Sequence, residues 1–421
     1  MRFVLLILIS FSLTTQAQVG NKNLFFKSQS VAPPAGLVPF SFSEIPYSDI
    51  DFINPGRGAE QWHNGSQGIP NPSETSNLAS LDFYQRFQWV DIEGATQGSY
   101  NFTTFNGWVL SAINANQQFS FGIMPVFNGG GKVTYDGGKS CYPLYLHTLM
   151  QAEATNSEDW LCPNGDWIPN WNSPNYLARL RALHVALYNH IMTATVTATA
   201  GPYNGQAIPI RNIIYTIDIR GYGQWGEWHT NLICNWNTYP DGRQPTVASL
   251  KEIIDCHTEV FTTFPLSMMV AGYDGGMTTI PLFVPLPEVA HYALTATNTW
   301  GDVGMRRDQW GDPASYLNNL LQNNTVTYAG SQPFGTLITN KYKTAPVTGE
   351  PDPISADMTL LETQVQTLHG TSFGNGNWGA YPDATKRDRI RAAWKRSGFR
   401  LKITTGEAPT VITRTVQFTI K

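Results

Sequence analysis

The sequence predicts an α/β protein, a closed barrel of eight parallel strands ringed by helices, on three observations. Short β-like runs alternate with helical stretches over about 350 residues, and the alternation counts to about eight β–α units. No break resembling a linker interrupts them. Glu93, Glu227, Asp274, Trp300, Glu350 and Trp378 each follow a predicted strand, where the loops of such a barrel carry function. A doubly wound open sheet is the alternative, and it requires a Gly-rich phosphate loop after the first strand; none stands in that context.

The elements follow in chain order. Residues 1–17 read as a signal peptide: Arg2, an apolar run from Phe3 to Leu13, and a small-residue exit at Ala17. That run is too short to span a bilayer and no later segment qualifies, so the expectation is a secreted or periplasmic protein with no membrane span. Residues 18–50 read as an extended lead-in without period, and 51–400 as the barrel. Within it, 83–93, 119–127, 210–221, 265–273, 289–298 and 345–350 read as strands. Helices are expected over 104–116, 175–192 (opened by Ser173-Pro174), 246–261, 313–323, 333–344, 358–369 and 385–398. The stretches "TWGDVGMRRDQWGD" and "GTSFGNGNW" read as loops. Residues 401–421 read as two alternating strands that cannot bury a face of their own. They pack on the barrel or open a sheet that this chain does not finish, a truncated β-sandwich.

Composition narrows the functions. A net charge of -4 with no long basic run gives no reason to expect nucleic acid. The 13 Trp and 18 Tyr suit sugar faces, though they suit cores equally. Export permits disulfides among Cys141, Cys162, Cys234 and Cys256. Sequence neighbours suggest Cys141–Cys162 and Cys234–Cys256, one of three connectivities. No CxxC occurs, and the two "DGG" stretches offer too few ligands for calcium, so neither a metal nor a cofactor is expected.

The chemistry concentrates in "GYGQWGEWH" (221–229), where Glu227 stands between Trp225 and Trp228 and ahead of His229. Glycoside hydrolysis needs two carboxyl groups flanking the bond, and converging strand ends supply such pairs from distant positions. Glu227 follows the fourth counted strand and Glu350 the seventh. The two indoles are expected to desolvate Glu227 and keep it protonated, while Glu350, with no such pair, stays ionised. Arg57, Arg86 and Glu93 read either as a charged layer at the mouth or as sugar contacts. Asp218 and Arg220 alternate on an Ile-rich strand and read as a buried pair, and Trp89 reads as core before platform. Trp300, Trp310 and Trp378 read as stacking platforms, Asp274 as a rim ligand, and His369 as either a sugar ligand or a satisfied rim histidine. Arg306, Arg307 and Asp308 read as a rim ion cluster or, through the two Arg, as a selector of anionic sugars.

Acids at the ends of strands four and seven resemble the clan of retaining (β/α)8 glycosidases that includes β-galactosidases and cellulases. More closely, the chain resembles an exported bacterial family of glycosidase-like barrels of unassigned function. The resemblance rests on "NPGRG" (54–58), "RFQWVDIEGATQGSYNF" (86–102), "DIRGYGQWGEWH" (218–229), "GDVGMRRDQWG" (301–311), "APVTGEP" (345–351) and "HGTSFGNGNW" (369–378). It implies Glu227 as general acid/base, Glu350 as nucleophile, a carbohydrate substrate and a β-sandwich after the barrel. One departure stands out. The clan carries Asn just before its acid/base Glu, on the sugar 2-hydroxyl, whereas this chain has Gly226, leaving His229 or Arg220 to replace the contact. Two other functions remain open: a carbohydrate-binding barrel without catalysis, and a polysaccharide lyase drafting Tyr222, His229 and Arg220.

Overall fold

The computed structural model describes residues 37–41, 58–62, 82–154, 156–229, 243–270, 286–311, 333–351, 357–374 and 405–409, with single positions at 385, 389, 392 and 393. The chain divides into two units, Phe52–Gly398 and a smaller one of Met1–Asp51 with Phe399–Lys421. In the smaller unit Leu37–Ser41 pairs antiparallel with Thr405–Pro409, so the C-terminal extension finds its strand partner in the lead-in segment.

The larger unit is a closed barrel of eight parallel strands. In chain order they are β1 (Gly58–Trp62), β2 (Asp82–Gln88), β3 (Gln118–Met124), β4 (Ile214–Ile219), β5 (Leu266–Met269), β6 (Gly304–Trp310), β7 (Val347–Pro351) and β8 (Ser372–Gly374). Each pairs with its successor, and β8 closes on β1 with Ser372 opposite Gly58. Between the strands run α1 (Thr103–Asn114), α2 (Leu144–Gln151), α3 (Pro174–Thr193), α4 (Val247–Thr258), α5 (Leu286–Thr295), α6 (Phe334–Asn340) and α7 (Met358–Leu368).

Local chemistry sets the helix ends. Ser173 caps α3 by accepting from the Tyr176 amide, with Pro174 in the first turn; Thr246 and Asp357 do the same for α4 and α7. Several elements depart from the sequence expectation, among them β1 and α2, where neither a strand nor a helix is expected. Of the expected strand 289–298, residues 289–295 form the end of α5, and the strand instead lies in "GMRRDQW", within the expected loop. Ser372–Gly374 likewise is a strand within the expected loop. The expected helix over 313–323 lies outside the described residues; of 385–398 the four described positions are helical.

The reason charges sit in strands is the polarity of the barrel interior. Barrels of this kind are usually filled by Val, Ile and Leu. Here Glu60, Tyr84, Asp218, Ser267 and Arg306, from five strands, are buried together. Arg306 reaches Glu60 at 2.9 Å and its guanidinium lies 4.2 Å from the Tyr84 ring centroid. Asp218 accepts from Tyr84 Oη and Ser267 Oγ, both at 2.5 Å, and from Arg220 Nη2 at 2.9 Å. The apolar core lies outside the sheet instead. Phe83, Phe87, Phe119 and Phe121 of β2 and β3 pack around Phe105 of α1, with Val109, Ala112 and Ile113 beside it. Strand alternation therefore puts charge inward and aromatic bulk outward.

Candidate active site

A strained turn delivers Glu227 to the C-terminal mouth. Five of the eight residues from 221 to 228 have positive φ: Gly221, Gly223, Trp225, Gly226 and Trp228. For an indole side chain that conformation costs free energy and persists only where surroundings enforce it. The enforcement is visible. The Gln224 amide donates to His229 O at 2.7 Å, the Trp225 amide to Val126 O at 3.0 Å, and Arg220 Nη1 to Trp225 O at 2.7 Å. Trp228 is 1 % exposed and its Nε1 donates to Ile219 O, so it anchors the turn and is no sugar platform. Trp225 stays partly exposed, its ring edge-on to His229 at 5.8 Å.

The same turn explains Gly226. At φ 69 its missing Cβ would lie 2.9 Å from Arg220 Cβ, so neither the backbone nor the space suits a side chain. The Asn of the resembling clan has no room here. Arg220, fully buried and committed to Asp218 and Trp225 O, does not reach outward as its replacement.

Glu227 is locked in an ion cluster. One oxygen, Oε1, contacts Arg86 Nη1 and lies 4.0 Å from Arg220 Nη1; the other lies 3.1 Å from His229 Nε2. Arg86, at the end of β2, gives its second arm to Asp308 at 2.8 Å. Asp308 stands on β6 in register with Glu350 on β7. Burial pushes the Glu227 carboxyl up, but Arg86, His229 and Arg220 outweigh it and hold it well below the usual carboxylate range. For Glu350, burial and the neighbouring Asp308 charge push the carboxyl well above that range, and Arg86 and Arg306 only partly offset them. The direction is thus the reverse of the one expected: the surroundings favour the charged form of Glu227 and the protonated form of Glu350. The indoles failed to decide it because Arg86, His229 and Arg220 together outweigh the burial of the carboxyl, the largest single influence on it.

Gly349 brings these strands together. A Cβ there would collide with Arg307 O of β6 and with Trp310 Nε1, so "TGE" is a close strand approach and not an exposed turn. Glu350 is partly buried in consequence, its Oε2 within the protein.

The structure gathers Arg86, Trp225, Glu227, His229, Asp308 and Glu350, and it removes several other candidates. Trp89 is buried and donates to Glu93 at 2.7 Å; Glu93 is itself fully buried and accepts from the Gly98 amide, stapling its loop. Trp300 precedes β6 and His369 precedes β8, so both lie at the N-terminal ends of strands, opposite the mouth. His369 is the left-handed cap of α7, its ring tilted against that of Tyr342 with centroids 3.8 Å apart. Trp310 is fully buried. Arg306 is spent on Glu60, Asp308 and Asp218 and Arg307 is buried, so neither selects an anionic sugar. Tyr222, 1 % exposed between Trp171 and Trp228, is unsuited as a lyase base. Arg57, Asp274 and Trp378 lie outside the described residues.

The cysteines also differ from expectation. Cys141 and Cys256 carry free, buried thiols while Cys162 is in a disulfide, so neither suggested pairing forms; Cys234 lies outside the described residues. Among the described residues no group of His, Cys, Asp and Glu is arranged to hold a metal ion, and no helix is long and apolar enough to cross a membrane.

Sequence reasoning missed Glu60, Tyr84 and Ser267 beneath the site. Tyr84 carried a signal, since it alternates with Arg86 between outward phenylalanines; Glu60 and Ser267 carried none.

No protein-family model and no curated protein matches the chain. Solved structures do. The catalytic domain of a β-amylase from Paenibacillus polymyxa is similar over 80% of this chain and 97% of its own, at 10% identity and a TM-score of 0.45. A broad-specificity endoglucanase from an uncultured bacterium is similar over 83% and 98%, at 7% identity and a TM-score of 0.38. Xylanase 10B from Thermotoga petrophila is similar over 76% and 81%, at 11% identity and a TM-score of 0.36. The barrel assigned to this chain stands on its own strand pairing, independent of these likenesses.

Proposed function

We propose that the protein is a secreted glycoside hydrolase that cleaves an oligosaccharide or polysaccharide by double displacement, with Glu227 and Glu350 as its two carboxyl groups. The observation that carries this reading is one guanidinium, Arg86, touching Glu227 on one arm and Asp308 on the other, with Glu350 in register beside Asp308. This arrangement supports the reading because it favours the charged form of Glu227 and the protonated form of Glu350, the complementary pair that glycosidic cleavage requires.

The charges favour roles opposite to those the resemblance implies. Glu350 carries the proton and acts as acid, then as base for the incoming water; Glu227, ionised against Arg86, attacks the anomeric carbon. Trp225 supplies a partly exposed face for the sugar ring. The test is a panel of polysaccharides and aryl glycosides, read by released sugar and by the anomer first formed. Glu227→Gln and Glu350→Gln should each lower turnover by at least a thousandfold, and near-normal turnover in either removes that residue from the chemistry. A 2-fluoro glycoside that traps the intermediate should label Glu227; label on Glu350 restores the roles the resemblance implies.

A second reading has one observation in its favour. Both Glu227 oxygens are already engaged, by Arg86 and His229, as in a structural ion pair. A non-catalytic carbohydrate-binding barrel would bind glycans from the same panel, cleave none, and keep that binding in Glu350→Gln.

A further inference from the structure

The mechanism above uses two carboxyl groups, yet the site holds a third. Asp308 is 4 % exposed, and its two oxygens are divided between two cations. Oδ2 accepts from Arg86 Nη2 at 2.8 Å and Oδ1 from Arg306 Nε at 3.1 Å. Arg306 is in turn fixed from below by Glu60 at 2.9 Å and faces Asp218 at 3.6 Å. Asp308 therefore stands on a post rooted in the barrel interior. Because it occupies one arm of the Arg86 fork, only the other arm is left to Glu227. Cross-strand register places it against Glu350.

We propose that Asp308 is a positioning residue, which aims Arg86 at Glu227 with one oxygen and stands its carboxyl group beside Glu350. The proposal rests on the hydrolase reading for its consequence in catalysis, but its geometry does not. A carboxylate used only to neutralise Arg86 would not need a second guanidinium to hold it. Nor would it need to stand in register with the other site acid. The charged groups facing Asp308 are Arg86 from β2, Arg306 from its own strand, Arg220 and Glu227 from the end of β4, and Glu350 from β7. Among these Glu350 is the acid whose proton Asp308 retains, because a second like charge within a few ångströms disfavours ionisation. Burial is the larger influence on Glu350 and the Asp308 charge the next.

The test is Asp308→Asn, which keeps shape and removes charge. The Glu350 titration, followed by carbon NMR of the labelled carboxyl group and assigned with Glu350→Gln, should fall by about one pH unit. The basic limb of kcat/KM on a cleaved glycoside should fall with it, since the acid loses its proton earlier. An unmoved titration overturns the proposal whether or not the protein is active. A shifted titration in a protein that cleaves nothing upholds Asp308 and defeats the hydrolase reading, so the two failures are distinct. Should Asp308→Asn not fold, Asp308→Glu keeps the charge but displaces it. It should lower kcat about tenfold while Glu350 moves by less than half a unit, and an unchanged kcat overturns the positioning role.

Discussion

Replacing Asp218 by Asn tests the account of the barrel interior most directly. Asp218 is 1 % exposed and accepts four hydrogen bonds, from Tyr84, Ser267 and two atoms of Arg220, with Arg306 Nε a further 3.6 Å away. Asn fills the same volume, so no cavity term arises. The loss is electrostatic: two buried guanidiniums lose their shared anion, and an amide NH2 faces donors where an oxygen had faced them. Breaking a buried ion pair from one side costs about 3–5 kcal/mol, a large share of a total stability of about 5–15 kcal/mol. Urea unfolding followed by tryptophan fluorescence should show the midpoint falling by roughly 1–2 M for a slope of about 3 kcal/mol per M.

The pH dependence of that difference carries its sign. Burial raises the Asp218 carboxyl, but Arg306 and Arg220 prevail and hold it below its ordinary value. A depressed carboxyl contributes stability that is present above the unfolded value of about 3.9 and lost as pH falls through the folded one. The gap between wild type and variant should therefore be flat near neutrality and narrow below about pH 4. A cost under about 1 kcal/mol at pH 7, or a gap that widens in acid, would refute the claim that this charge organises the interior.

Three further outcomes follow from particular contacts. Gly226→Asn, which installs the residue typical of the resembling clan, should cost about 1–3 kcal/mol through contact with Arg220 and should not raise kcat, checked by thermal unfolding and glycoside turnover. His147 lies between Asp159 at 2.9 Å and Asp136 at 3.0 Å; burial lowers its pKa, but the two carboxylates leave it raised. A raised histidine contributes stability below its unfolded value of about 6.5 that is lost as pH rises through the folded one. Amide-exchange protection around residues 133–161 should thus decline from pH 6 to pH 8, and His147→Gln should flatten that dependence. Burial pushes the Cys256 thiol up to about 12 and raises Cys141 as well, so the native protein should leave both unlabelled by a thiol reagent at pH 8 until denaturant is added.

The alternation of strand and helix patterns sufficed for the barrel, and counting strands placed Glu227 after β4 and Glu350 in β7. It sufficed because those elements are written locally: the Ser173 cap, the Ile-rich β4, the apolar stripe of α3. Three strands escaped: β1, β6 and β8. "GMRRDQW" reads as loop to any rule that expects apolar strands, since Arg306 and Asp308 find partners on the distant strands β1, β2 and β4. Residues 289–298 read as a strand because α5 is a short helix in which most residues are apolar.

What the sequence determined by itself is the set of local conformations and the strand ends at which acids emerge, because period, capping and glycine placement act over a few residues. What only the tertiary structure decided is which acid keeps a proton. The Arg86–Asp308 bond spans 222 positions and the Arg306–Glu60 bond 246. Charge interactions depend on separation through space and on the water excluded between the groups, and neither quantity exists until the barrel has closed.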